Sequence, residues 1–159
     1  MDVLKWAANR TPEQVNLYAT IGASAHTAAG HSATHRLEFY TGLRPAQDQV
    51  ARPLALLVME VVLNRTELGH GHSVSFPEPL WEGTEMSGFL LLKPDTPIVP
   101  ALDIAGGLHV DYLQAIPAYS SEISLRTLWG IDRLLQRWKE AGVAFWDPMR
   151  PPSLTRFGR

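Results

Sequence analysis

ELGHGHSVSFPEPLWEGTEMSGFLLL, residues Glu67 to Leu92, decides how the rest of the chain is read. Two histidines flanking a glycine, His70 and His72, open it. Pro77, Pro79 and Trp81 follow, and Phe89-Leu90-Leu91-Leu92 closes it. A continuous apolar run bounded by turn residues is the pattern of a strand buried on both faces. The proline-bearing stretch before it predicts a long, shaped loop, the kind of segment that carries a working surface when a rigid scaffold holds it.

Downstream, Lys93-Pro94-Asp95 predicts a turn, and Pro100 limits Ile98–Ile104 to an edge strand. Leu108, Val110, Tyr112, Gln114 and Ile116 then alternate with His109, Asp111, Leu113 and Ala115, predicting a strand that Pro117 ends. Ser120-Ser121-Glu122 is a helix start with a hydroxyl cap and an early carboxylate. Gly130 divides that helix from a second one carrying Ile131, Leu134, Leu135 and Trp138, which Gly142 stops.

Upstream, Gln47–Leu63 predicts a helix with Val50, Leu54, Leu57, Val58 and Val61 on one side, Pro53 marking a kink or its true first turn. His35–Tyr40 alternates as a strand, with Leu37 and Phe39 facing the core and Thr41–Pro45 breaking it. Val15–Ile21 alternates likewise, and Val3–Trp6 suggests an earlier strand. Gly22–Thr34, made of small and polar residues, predicts a mobile surface loop. The expectation is an α+β fold: a single domain over residues 1–159, with a mixed β-sheet, flanking helices, a core over about 15–146 and an irregular, proline-rich tail over 147–159.

The chain has 159 residues, 45% hydrophobic and 19% charged, with a formal net charge of −2 and no cysteine. That is ordinary for one globular domain. It gives no basic face for nucleic acid and no thiolate for catalysis or zinc. No apolar run reaches the length of a membrane helix, and the first residues lack a signal-peptide pattern, so a cytoplasmic protein is expected.

His70 and His72, at i and i+2, share a face if they lie on a strand, where His109 or Glu85 could complete a metal site. No HExxH pattern supports this; the alternative is that one imidazole bonds the loop backbone and the other is solvated. His26, His31 and His35 are expected to be solvated. Glu78, Glu82 and Glu85 are candidate acid–base or contact residues, and Trp81 is either an interface anchor or a lid on the core edge. No GxSxG elbow or glycine-rich phosphate loop is present. Glu60 in an apolar helix and Gln114 on an apolar strand face need partners or a route to solvent.

Taken in order, Leu37–Tyr40 and its helix, Gly69-His70-Gly71-His72, Thr84-Glu85 through Leu92, Leu108–Pro117, and Glu122 with Gly130–Leu135 resemble the suppressor-of-fused domain family in its compact bacterial form. The resemblance covers about Val15 to Trp146 and rests on order and spacing. It implies a mixed-sheet α+β fold, no catalytic residues and no cofactor. The eukaryotic members bind transcription factors between two lobes, and bacterial domains of the family include immunity proteins. Only the first lobe is matched here, so transcription-factor binding does not carry over. The resemblance therefore implies a protein-binding regulator, with an immunity-type inhibitor of a neighbouring toxin preferred. Its surface would comprise His70, His72, Glu78, Trp81, Glu82 and Glu85, with the 22–34 segment nearby. The alternative is a small metal-dependent enzyme using His70, His72 and a carboxylate.

Overall fold

The apolar run at 89–92 is the fifth strand of a mixed seven-stranded sheet. A computed structural model describes residues 1–153. Its elements are β1 (Asp2–Trp6), β2 (Asn16–Ile21), β3 (His35–Leu43), α1 (Ala51–Val62), β4 (Ser73–Ser75), β5 (Gly88–Leu92), β6 (Leu102–Ile104), β7 (Leu108–Ala118), α2 (Ser120–Trp129) and α3 (Ile131–Ala141). The sheet order is β1-β2-β3-β7-β5-β4, and β6 adds to the start of β7. Every pairing is antiparallel except β3 with β7, which run parallel in the register His35↔His109 to Tyr40↔Gln114.

Both faces of the sheet are covered, which is why the central strands lose the alternation of a half-exposed sheet. On one face α1 lays Leu54, Leu57, Val58 and Val61 over Leu37, Phe39, Leu91, Leu113 and Ala115. On the other, α2 and α3 bring Leu125, Leu134 and Trp138 onto Leu90, Leu92, Ile116 and Ala118. Beyond the helices on this second face, Ile98 and Val99 cover Leu17, Ala19 and Tyr40. Pro53 sits in the first turn of α1, where its missing N–H costs nothing. Gly142 ends α3 with a left-handed backbone at φ +62°.

Several expectations are corrected. β3 runs on to Leu43 instead of breaking at Thr41, and Glu38 and Tyr40 on its expected outer face are buried. β7 runs through Pro117 to Ala118. Pro117 is paired with Phe89, so it does not end the strand. The N-cap of α2 is Tyr119, not a serine; the Glu122 carboxylate folds back to accept its backbone N–H at 3.0 Å.

The 22–34 segment is packed against the core. Ala23 and Ala28, each 1% exposed, fit into the core under α1, where only a methyl side chain is needed. Glu38, 1% exposed, fixes the start of the segment. Its carboxylate accepts hydrogen bonds from the Thr20 hydroxyl at 2.6 Å, the Gly22 amide at 2.8 Å, and the Ser24 amide and hydroxyl at 2.9 and 2.7 Å.

The proline-rich tail is irregular as far as it is described, but it is docked. Pro148 and Arg150 are buried. Residues 154–159 of that predicted tail lie outside the described residues.

Candidate functional site

The residues singled out in the sequence separate into two groups at opposite ends of β4. Ser73 pairs with Leu90 and Ser75 with Gly88, so His70 and His72 lie toward the Leu92 end of β5 and the acidic loop lies beyond the Gly88 end. The structure does not bring the histidines and the glutamates together.

The histidine corner is shaped by backbone contacts. Gly71 adopts φ +82°, donates to the Leu91 carbonyl at 2.7 Å and receives the Arg126 guanidinium on its own carbonyl at 2.5 Å. A Cβ at Gly71 would lie 3.0 Å from Ile131, so the corner closes tightly on the α2–α3 junction. His70 Nδ1 accepts the Lys93 amide at 3.0 Å, and His72 Nδ1–H donates to the Glu67 carbonyl at 2.9 Å. Both imidazoles therefore bond the backbone, not one alone. Among the described residues no three of the histidine, aspartate and glutamate side chains surround a common metal position.

The loop from Phe76 to Met86 is built as a rigid ridge. Phe76 N–H donates to the Ser87 carbonyl and Leu80 N–H to the Met86 carbonyl, at 2.7 and 2.8 Å. Leu80, Trp81 and Met86 turn inward. Trp81 is 4% exposed, and its indole N–H donates to the Pro148 carbonyl at 3.1 Å. It is a core residue pinned by the tail, and so it is not an exposed anchor for a partner. The Glu82 amide is held by the Gln49 side chain at 3.0 Å.

With its apolar residues turned in, the ridge presents Glu78, Glu82 and Glu85 to solvent. Glu78 lies 3.8 Å from Arg52, both exposed. Such a pair contributes little. A hollow of about 240 Å³ runs beside the ridge, between Phe76–Leu80 and the first turns of α1.

Glu60 finds its partners locally: its carboxylate accepts from Asn64 Nδ2 and the Thr66 hydroxyl, both at 3.0 Å, closing the turn after α1. Gln114 is half-buried and lines two hollows on the second face of the sheet.

Two polar clusters escaped the sequence reading. In the first, His31 and His35 stack at 4.6 Å between ring centroids, with His109 5.4 Å from His35. They are half-buried, against the expectation of solvated rings at 31 and 35. Asp111 joins the cluster: it lies 3.0 Å from His35 Nε2, 3.2 Å from His109 Nε2 and 2.8 Å from Lys93 Nζ. Asp103 meets His109 Nδ1 at 2.6 Å. Burial would raise the Asp111 pKa, but Lys93, His109 and His35 hold it below its ordinary value. Hydrogen bonds that His109 donates to Asp103 and then to Asp111 raise its pKa, while burial lowers His35 despite Asp111. The spacing of His109 and Asp111 at i, i+2 was visible in the sequence, but their register with His35 was not.

The second cluster is the pair Glu122–Arg150, 0% and 2% exposed. The guanidinium donates to both carboxylate oxygens, at 2.8 and 2.6 Å, and to the Pro117 carbonyl at 3.0 Å. The Ser153 amide adds a further bond at 3.0 Å. Burial would raise the Glu122 pKa; Arg150 and these donors hold it below the usual carboxylate value.

This is an α+β domain in which a mixed sheet lies between helical layers, with charged loops at its rim. The chain belongs to the suppressor of fused family: the model of the Suppressor of fused protein (SUFU) family matches residues 1–151. A SUFU homologue of Neisseria gonorrhoeae FA 1090 superposes at a TM-score of 0.70 with 16% identity, over 97% of this chain and 78% of that one. A chain of the Sufu–Fu complex gives 0.65 with 14% identity, over 87% and 68%. Drosophila Suppressor of Fused gives 0.62 with 13% identity, over 94% of this chain and 41% of the fly protein. At these identities the likeness is one of fold. No curated protein matches the sequence. No helix among the described residues is long and apolar enough to cross a membrane.

Proposed function

We propose that the protein is a non-catalytic binding domain that inhibits a partner protein by docking on it, as an immunity-type or regulatory protein acting in the cytoplasm. The observation that carries this reading is the rigid ridge from Phe76 to Met86. Its apolar residues are spent on the core and its backbone is fixed by hydrogen bonds, so Glu78, Glu82 and Glu85 are presented without the ordering cost of a loose loop. Membership of a family that includes a Sufu–Fu complex supports a protein partner. The acidic ridge favours a basic one, by charge complementarity and steered association. A toxin encoded beside this chain, such as a nuclease with a basic cleft, has that chemistry. Trp81 acts from below, holding the ridge in shape, and His70 and His72 form a separate corner that extends the surface on the far side of β4.

The test is co-purification with the products of the neighbouring genes, followed by binding kinetics. A basic partner should bind, and the triple variant Glu78→Lys, Glu82→Lys, Glu85→Lys should slow association by roughly tenfold or more at low salt. Failure of every neighbouring product to bind, or binding that ignores both the triple variant and salt, overturns the reading.

A further inference from the structure

On the second face of the sheet, between the strands and the chain that follows α3, lie two adjoining hollows. One, of about 400 Å³, reaches Glu13, Tyr40, Arg44 and Ile98; the other, of about 420 Å³, reaches Leu92, Ile116, Leu135 and Val143. Pro94, Gln114, Phe145 and Trp146 line both, so the two form one bent groove. Each hollow has the size of a small-molecule site.

The two ends differ in chemistry. The second hollow is walled by aliphatic side chains and by Trp138, with Lys139 at its edge. The first has polar groups in an otherwise apolar floor. Tyr40 is 0% exposed, and among the described residues its hydroxyl meets no partner in good hydrogen-bonding geometry, although the Ile98 backbone is near enough to offset part of the pKa rise that burial causes. Gln114 stands directly beside it, in register across β3 and β7, and its amide makes no hydrogen bond among the described residues. A buried hydroxyl without a partner is costly and calls for an explanation. Ile98, which covers Tyr40, lies on chain outside any strand pairing, between β5 and β6. Tyr40 and Ile98 both line the first hollow.

We propose that this groove binds a medium-chain amphiphile with an uncharged, hydrogen-bonding head. The head, an amide or ester, meets Tyr40 and Gln114. The chain lies along Leu92, Ile116, Leu135 and Val143, under Phe145 and Trp146. Arg44 and Glu13, opposite in charge, line the same end, so a charged head gains from one and loses to the other. The groove involves none of the ridge residues, and the proposal stands apart from the docking reading.

The test uses the whole chain, labelled with nitrogen-15 and titrated with octanamide, octanoate, octylamine and butyramide. Octanamide should shift the Gln114 side-chain amide and the Trp146 indole resonances saturably. Butyramide should bind at least about tenfold more weakly, from the methylenes it lacks. Tyr40→Phe/Gln114→Leu should weaken octanamide by about tenfold. Absence of a saturable shift overturns the proposal, as does equal affinity in the double variant, or octanoate or octylamine binding as tightly as octanamide. If the double variant does not fold, the chain-length and head-charge series on the unsubstituted protein decides alone.

Discussion

Arg150 and Glu122 show how much a single pair can hold. The guanidinium is enclosed by the sheet, by α2 and by the Trp138 and Tyr119 rings, whose centroids lie 5.0 and 5.4 Å from Cζ. Among the described residues its Nε has no partner, and a buried pair of this kind is costly unless both charges are present. Arg150→Ala should lower unfolding stability by about 3–5 kcal/mol, because it leaves a bare buried carboxylate. Urea denaturation at neutral pH measures this. The sign of the pH dependence follows from the direction of the shift. Glu122 has a lower pKa folded than unfolded, so on acidification the unfolded chain takes up the proton first. The contribution is complete above the ordinary value of 4.5 and is lost as pH falls through the lowered one. The same experiment on Glu122→Gln should show a shallower loss as pH falls below 4.5 than the unsubstituted protein. In the sequence, Glu122 reads as an early helix carboxylate and Arg150 as one residue of an irregular tail. Nothing local joins them, since their separation of 28 positions is crossed only in three dimensions.

Among the elements, β5 is held from three sides, by β4, β7 and α2. Gly88 begins it, and a Cβ there would lie 2.4 Å from the Val74 carbonyl oxygen, 2.6 Å from Ile123 Cδ1 and 3.2 Å from Ser75 Cα. The missing side chain is what lets β4 and α2 close on the same point of β5. Gly88→Ala should therefore cost about 1–3 kcal/mol by overpacking, visible as a lower melting temperature. A melting curve unchanged from that of the parent would mean that β4 can move away freely. The elements themselves were largely legible. The run at 89–92, the stripe on α1, Gly130 between α2 and α3, and Gly142 at the end all express local periodicity or backbone preference. What was misread depended on neighbours. Pro117 stays in β7 although it cannot donate to the ladder. The alanines at 23 and 28 look like loop filler until α1 is placed over them. The candidate surface was legible in part: the glutamates of the ridge are exposed, whereas Trp81 belongs to the core because the tail supplies a carbonyl for its indole.

At the scale of the whole molecule, the sheet is stitched by distant pairings. β3 meets β7 only after α1, β4, β5 and β6 have been made, and the register His35↔His109 gathers the histidine and aspartate cluster at that seam. Topologies of this kind form slowly, because long loops must close before their contacts contribute. The Arg150 clamp adds a consequence for synthesis on the ribosome. Among the described residues every strand and helix is complete by Ala141, yet a nascent chain at that point holds Glu122 without its counter-ion, and Trp81 lacks the carbonyl of Pro148. The Arg150 guanidinium, which emerges after all of these elements, supplies the missing counter-ion. A chain stopped at Met149 should remain protease-sensitive where one stopped at Ser153 resists, because the arginine that neutralises Glu122 arrives only after the elements it fastens.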